Sequence, residues 1–438
     1  MTDAPQLGIV ETVISGSIVA LGLKAAAAGL SFVTFLLAAR VLDSTQFGFF
    51  GIAFSTATLL VLGGSLGQRL LMLKFVPVYQ ERGDGELAAQ LIGRGYTLVF
   101  GGVVSLGLLY LLLSRFDLGQ LSPNLAIATV GLAIVLALVE FQAHVLRGFG
   151  RILAALLLRD VLWHLASLAI LGAAIIQVLS ISTATELILF MAVVLALGGL
   201  SQWALEPSLK GARLGVGASI KGVTPTWNRA ARAFWSTSLV RAATANLAVV
   251  LVGIYLSVES AAQYFAAFRL AIAVNLVTVG ANILCRPLLS RAFERKNTAE
   301  ASVICSVITT FSSFIAIALI AIFWFAGSDI LGFFSPDFSL GNELLLILAT
   351  GYLLKVLVGP ASAVLQMMNQ EELFLRLSLV TSGLALALLI PMTALFGARG
   401  AAVSVAFELA ATASLAAYLA WRRVGINTTI TALLRLSR

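Results

Sequence analysis

Residues 302–326 read SVICSVITTFSSFIAIALIAIFWFA, 25 positions without a single charge. At about 1.5 Å of rise per residue a helix of this run is roughly 37 Å long, more than the ~30 Å hydrocarbon core of a bilayer. No water is present there to bond free backbone amides, so the run must be a helix that satisfies its own N–H and C=O groups. Just before it stand Arg286, Arg291, Arg295 and Lys296. The connection after it, about 327–340, carries only Asp329 and Asp337. Cations therefore mark one end of this span and are missing from the other.

The same pattern runs through the chain. Twelve windows are apolar and long enough to cross a membrane. They are roughly 14–39, 47–68, 95–113, 124–146, 157–179 and 186–205, then 234–256, 263–284, 302–326, 341–365, 375–396 and 400–421. Of the 28 lysines and arginines, 21 fall in alternate connections and the C-terminal tail, and only Arg40, Arg115 and Arg399 in the others. Lys and Arg accumulate on the cytoplasmic side of membrane proteins. The split predicts twelve helices with both termini in the cytoplasm.

Composition agrees. Of 438 residues 60% are apolar and only 11% charged, against about 25% charged in a soluble domain. This excludes a soluble enzyme, a disordered chain and a secreted disulfide scaffold. The net charge of +8 marks a membrane face and does not point to nucleic acid. Cys285 and Cys305 have no metal-ligand spacing, and His144 and His164 lie 20 residues apart, so neither a metal nor another cofactor is expected. The phosphate loop G-x-x-x-x-G-K-[ST] is missing; Gly215 to Gly222 comes nearest and fails it. The first residues lack the basic region of a cleaved signal, so the first span is read as retained. No outer connection is large enough for a substantial enzymatic domain.

The organisation is an N-terminal lobe, 1–205, a glycine-rich cytoplasmic linker, 206–232, a C-terminal lobe, 233–421, and a basic tail, 422–438. Thr224-Pro225 reads as a helix start, and Trp227 and Trp235 as membrane-interface residues. The halves repeat weakly. A shift of 217 sets Lys24 on Arg241, Gln46-Phe47 on Gln263-Tyr264 and Arg159 on Arg376; a shift of 219 sets Val145-Leu146 on Val364-Leu365. Six spans per half give both copies one orientation, related by an axis along the membrane normal. Pro360 and Pro391 should kink the tenth and eleventh spans.

Four cations remain inside spans: Lys24, Arg241, Arg269 and Lys355. Each costs about 2.5–3.5 kcal/mol at a helix centre on insertion scales. Ser17, Lys24 and Ser31 share one helical face, as do Ser238, Arg241 and Thr244, which favours a wet, anion-binding cavity. Pairing with Glu140, Asp160, Glu343 or Glu408 is the structural alternative. A second cluster joins Glu140, His144 and Arg147 to Arg159, Asp160 and His164. It is read first as an ion-paired cytoplasmic hairpin and second as an ion-coupling site. Glu408 is a further candidate proton carrier.

Ala38-Ala-Arg40-Val-Leu42-Asp43-Ser-Thr-Gln46-Phe47-Gly48-Phe49 resembles a stretch found in polysaccharide-export flippases of the multidrug/oligosaccharidyl-lipid/polysaccharide (MOP) exporter superfamily. Asp43 stands where that family usually has Gly. Leu66-Gly-Gln-Arg69 to Gly85, Gly253 to Ala271 and Phe396-Gly397 to Ala402 are similar to later parts of the same pattern. The resemblance implies an all-α polytopic membrane protein of two pseudo-symmetric six-helix lobes around a central cavity, the fold of the MATE transporters, working by alternating access. It implies undecaprenyl-pyrophosphate-linked oligosaccharide as substrate, flipped across a bacterial inner membrane for O-antigen, capsule or exopolysaccharide synthesis. A polymerase and chain-length machinery would be partners. Cavity cations, here Lys24, Arg241 and Arg269, would meet the pyrophosphate. The rivals are a multidrug/cation antiporter of the same superfamily, which relies on buried carboxylates, and a membrane enzyme or scaffold of glycan assembly.

Overall fold

The computed structural model describes residues 4–116, 121–210, 223–295, 297–368 and 370–429. The core of the expected linker, 211–222, and the end of the tail, 430–438, lie outside the described residues. Among the described residues all regular structure is helical. The helices are α1 (Ala4–Val41), α2 (Ser44–Gly64), α3 (Gln68–Glu81), α4 (Gly85–Leu113), α5 (Pro123–Gly148), α6 (Ile152–Leu156), α7 (Trp163–Ile175) and α8 (Ala184–Leu205). They continue as α9 (Pro207–Lys210), α10 (Thr224–Tyr255), α11 (Val258–Glu294), α12 (Thr298–Gly332), α13 (Asn342–Leu357), α14 (Ala361–Met367) and α15 (Glu371–Leu419).

Ten of these segments are long and apolar enough to cross a membrane, among the described residues. Their outer surfaces carry Phe325 at 84% exposure and Leu395 at 76%. Such patches are a liability in water and suit hydrocarbon. The protein is a multi-pass membrane protein.

Two local differences reduce the twelve windows to ten segments, and a third shortens one of them. The last two windows fall in one segment, Glu372–Val424. It changes direction at Gly397, whose φ of 63° and ψ of −146° lie in a region open essentially to glycine alone. Window 234–256 lies on α10, which carries Arg229, Arg232 and Arg241. Its apolar part, Ala243–Tyr255, is short. The window 341–365 breaks at Gly359-Pro360: α13 ends at Leu357, and α14 starts at Ala361. Gly359 there has φ of 76°, and proline cannot continue a helix. By contrast Pro391 is accommodated inside α15.

The connection after the second window also holds more structure than the sequence reading gave it. α3 contains Arg69 and Lys74. The fifth span opens with a π-helical stretch, Leu157–Leu162, between α6 and α7. That wider turn holds Arg159 and Asp160.

Helix starts follow local chemistry. Asp43 caps α2, its side chain accepting from Gln46 N at 2.6 Å. Ser122 caps α5 ahead of Pro123. Thr183 and Glu186 form a reciprocal capping box on α8. α10 starts one residue earlier than the Thr224-Pro225 reading, with Val223 at the cap.

The chain forms two compact units. The first comprises Met1–Ala28 and Gln263–Arg438, the second Gly29–Ala262. In the second, α5 packs against α2, α3, α4 and α8, while α10 lies on α2 and α3. α10 is the reason that this unit extends beyond residue 205. α2 and α4 approach closely through glycine: a Cβ on Gly102 would strike the Gly64 carbonyl. In the first unit α13 packs on α12 and α15, with Gly351 against the Ala406 backbone. In the same unit Cys285, Leu289, Cys305, Val364 and Leu365 belong to a buried apolar cluster.

Candidate functional site

In the first unit, Lys24, half-buried, stands on α1. Arg269, on α11, lays its guanidinium over the rings of Phe265 and Phe268, 4.6 and 5.7 Å from their centroids. These are cation–π distances. Lys355, on α13, donates from Nζ to Asn275 Oδ1 at 2.9 Å. Its neighbours leave a small gap of about 10 Å³ at the α13–α14 break, lined among others by Thr278, Asn282, Thr309, Ser312 and Pro360. Asn282 donates to the Thr278 carbonyl at 2.9 Å, and its Oδ1 is buried without a hydrogen bond. A cation inside an apolar bundle is costly unless polar atoms surround it. The lining of this gap supplies them.

Glu408, on α15, is 7% exposed and accepts a hydrogen bond from Ser382. Thr381 and Thr412 pair one helical turn away at 2.7 Å. The Glu408 carboxylate therefore sits beside hydroxyl groups.

In the second unit Glu140, on α5, is held from two sides. Arg69 of α3 pairs with one carboxylate oxygen, and Arg159 of the π stretch with the other at 2.7 Å. Arg159 also reaches Asp160 at 3.4 Å. His144 Nδ1 lies 2.7 Å from the Glu140 carbonyl oxygen, a contact that needs the proton on Nδ1. His164 Nδ1 is 3.4 Å from Thr34 Oγ1. Glu140, His144, Arg159 and Asp160 thus come together, with Arg69 of α3 as a further member that the sequence reading did not join to them. Arg241 stands on α10, and its side chain lies outside the described residues.

The sequence reading missed the neutral groups around Lys355. Their spacing was a usable signal, because Asn275, Thr278 and Asn282 are three and four residues apart and so share one face of α11. Trp227 also departs from the interfacial expectation. It is 2% exposed and donates to Tyr79 Oη at 2.7 Å. Among the described residues no group of three metal-ligating side chains converges.

Comparison with solved structures finds the same fold at low identity. An inward-facing MATE family transporter of the MOP superfamily superimposes with a TM-score of 0.69 at 15% identity, covering 95% of this chain and 96% of that one. Lipid II flippase MurJ, in an inward closed conformation, gives 0.71 at 14% identity over 96% and 92%. A MOP superfamily transporter from Pyrococcus furiosus, described as having a binding pocket of reverse polarity, gives 0.61 at 14% identity over 94% and 95%. No curated protein sequence matches. Residues 13–293 match the model of a family described as polysaccharide biosynthesis proteins, and the chain, with its MATE- and MurJ-like fold, belongs to that family.

Proposed function

We propose that the protein is a flippase, not an enzyme. It carries undecaprenyl-pyrophosphate-linked oligosaccharide from the cytoplasmic to the outer leaflet of a bacterial inner membrane for surface-polysaccharide synthesis. The observation that carries this reading is the presence of Arg269 and Lys355 inside the spans of the first unit, set against aromatic rings and a neutral amide. Cations in such surroundings suit a diphosphate. Lys24 and Arg241 complete the proposed anion-binding set. A cation antiporter would need accessible carboxylates, and Glu140 is already shared by two guanidinium groups. Membership in a polysaccharide biosynthesis family supports the glycan part of the reading.

The lobes 1–205 and 233–421, joined by the linker 206–232 and followed by the tail 422–438, are the proposed moving bodies, with both termini cytoplasmic. Glu408 is the preferred ion-coupling carboxylate, and Glu140, His144 and Asp160 form the alternative. A polymerase and chain-length machinery would take the product. Lys24→Ala/Arg241→Ala is the test. Export of surface polysaccharide should be lost while the protein remains inserted at normal levels. Full export by the double variant would refute the pyrophosphate site.

A further inference from the structure

The second unit contains a cleft that the proposed anion site does not use. It has a volume of about 450 Å³, within the range of small-molecule sites, and is lined by Gln46, Phe49, Ser122, Asn124, Leu125, Thr183, Thr185 and Glu186. The starts of α2, α5 and α8 form its walls. Six of the eight lining residues are polar and one is aromatic.

The chemistry of the lining selects a ligand class. Among the described residues no lysine or arginine lines the cleft. The three helix starts are already occupied by Asp43, Ser122 and Thr183 as caps, so their positive ends are not offered to an anion. Glu186 is spent on the Ser182 and Thr183 backbone amides, at 2.8 and 3.1 Å. A phosphate would meet a carboxylate there and no counter-charge. What remains is two carboxamides, three hydroxyls and one ring. Gln46 Oε1 accepts from the Ala184 N–H at 2.9 Å, and a carboxamide has two N–H donors besides. Such a set suits a neutral, polyhydroxylated ring, whose hydroxyls bond to the amides while its C–H face lies on the negative face of an aromatic ring. Caps on all three helix starts hold the lining in place before any ligand arrives, which lowers the cost of binding.

We propose that this cleft is a carbohydrate subsite for neutral sugars of the translocated glycan. The inference rests on the flippase reading above, in which the starts of α2, α5 and α8 face outward, opposite the cation-rich connections. Gln46 and Phe49 lie in the stretch 38–49 singled out in the sequence, and the subsite gives both a role.

The test uses full-length protein in nanodiscs and two probes. One is the lipid-linked oligosaccharide extracted from cells carrying this gene, and the other is the free glycan released from it by mild acid. Saturation-transfer NMR should detect the free glycan on the wild type. Asn124→Ala and Thr185→Val change exposed or half-exposed groups without opening the core, and each should weaken that binding at least tenfold. Phe49→Ala should abolish it, and inorganic pyrophosphate should not compete. The lipid-linked probe should still bind these variants, more weakly. If it binds wild type and variants alike, and the free glycan does not bind or binds the variants unchanged, the subsite is refuted and the flippase reading stands. If the lipid-linked probe fails to bind the wild type, the flippase reading falls and takes the subsite with it.

Discussion

Glu140 shows how a single residue depends on its surroundings. Two charges taken from water repay their desolvation only when the geometry is good and both partners are present. Arg69 and Arg159 approach it from different elements, with side chains 14% and 31% exposed against 12% for Glu140. Glu140→Ala takes from Arg69 the carboxylate it pairs with and leaves Arg159 with Asp160. The expected cost is roughly 3–5 kcal/mol, read as a lower thermal unfolding midpoint in detergent. Glu140→Leu combined with Arg69→Met should recover much of it, because an apolar replacement of a buried pair is tolerated better than a broken one. The bond between Trp227 and Tyr79 is a milder case. Trp227→Phe removes one neutral hydrogen bond and should cost about 1 kcal/mol in the same assay.

Among the elements, α15 is a long rod interrupted at one position. Gly397 alone adopts a backbone conformation that a Cβ would oppose, so Gly397→Ala should destabilise by about 1–3 kcal/mol. Gly400, three residues on, is also crowded, because a Cβ there would strike the Met392 carbonyl. The α2–α4 contact is tight for the same steric reason. Gly102→Leu should separate these helices, and the expected readout is loss of folded protein on size-exclusion chromatography of the detergent extract. An equally folded Gly102→Leu variant would contradict the close approach to Gly64. The π stretch 157–162 acts in the other direction. By widening one turn it holds Arg159 and Asp160 on adjacent positions that both serve the Glu140 network.

At the scale of the whole molecule, the proposed cargo sets the energetics. A pyrophosphate diester carries about two negative charges, and each charge crossing 100 mV gains about 2.3 kcal/mol, so outward movement of the headgroup gains roughly 4–5 kcal/mol. Cavity cations that stay near mid-depth while the lobes rock would cancel only part of this. Transport should therefore depend on membrane potential and need no ATP. In liposomes with a potassium–valinomycin potential, at zero pH and sodium gradient, flipping should be faster with the cytoplasmic side negative. Equal rates under both signs and at zero potential would rule this out. Topology is checked separately. Reporters at residue 215 and at the C-terminus should both be active on the cytoplasmic side, as the one-sided distribution of Lys and Arg requires.

Hydropathy and charge made the membrane class, the helical nature of every span and their one-sided charge legible in the chain alone, because a bilayer imposes its demand on each segment separately. The run 302–326 needs no partner to declare itself a span. The cations Arg269 and Lys355 were legible for the same reason, since a charge inside an apolar run stands out wherever it is packed. Contacts between segments distant in the chain leave no comparable mark. That Arg69 crosses 71 positions to reach Glu140, that Asn275 meets Lys355, and that Trp227 is buried against Tyr79 are consequences of helix packing. So is the cleft among α2, α5 and α8, whose eight residues come from three separate stretches. Each of those side chains is ordinary in its own stretch, and only the approach of three capped helix starts makes them one surface.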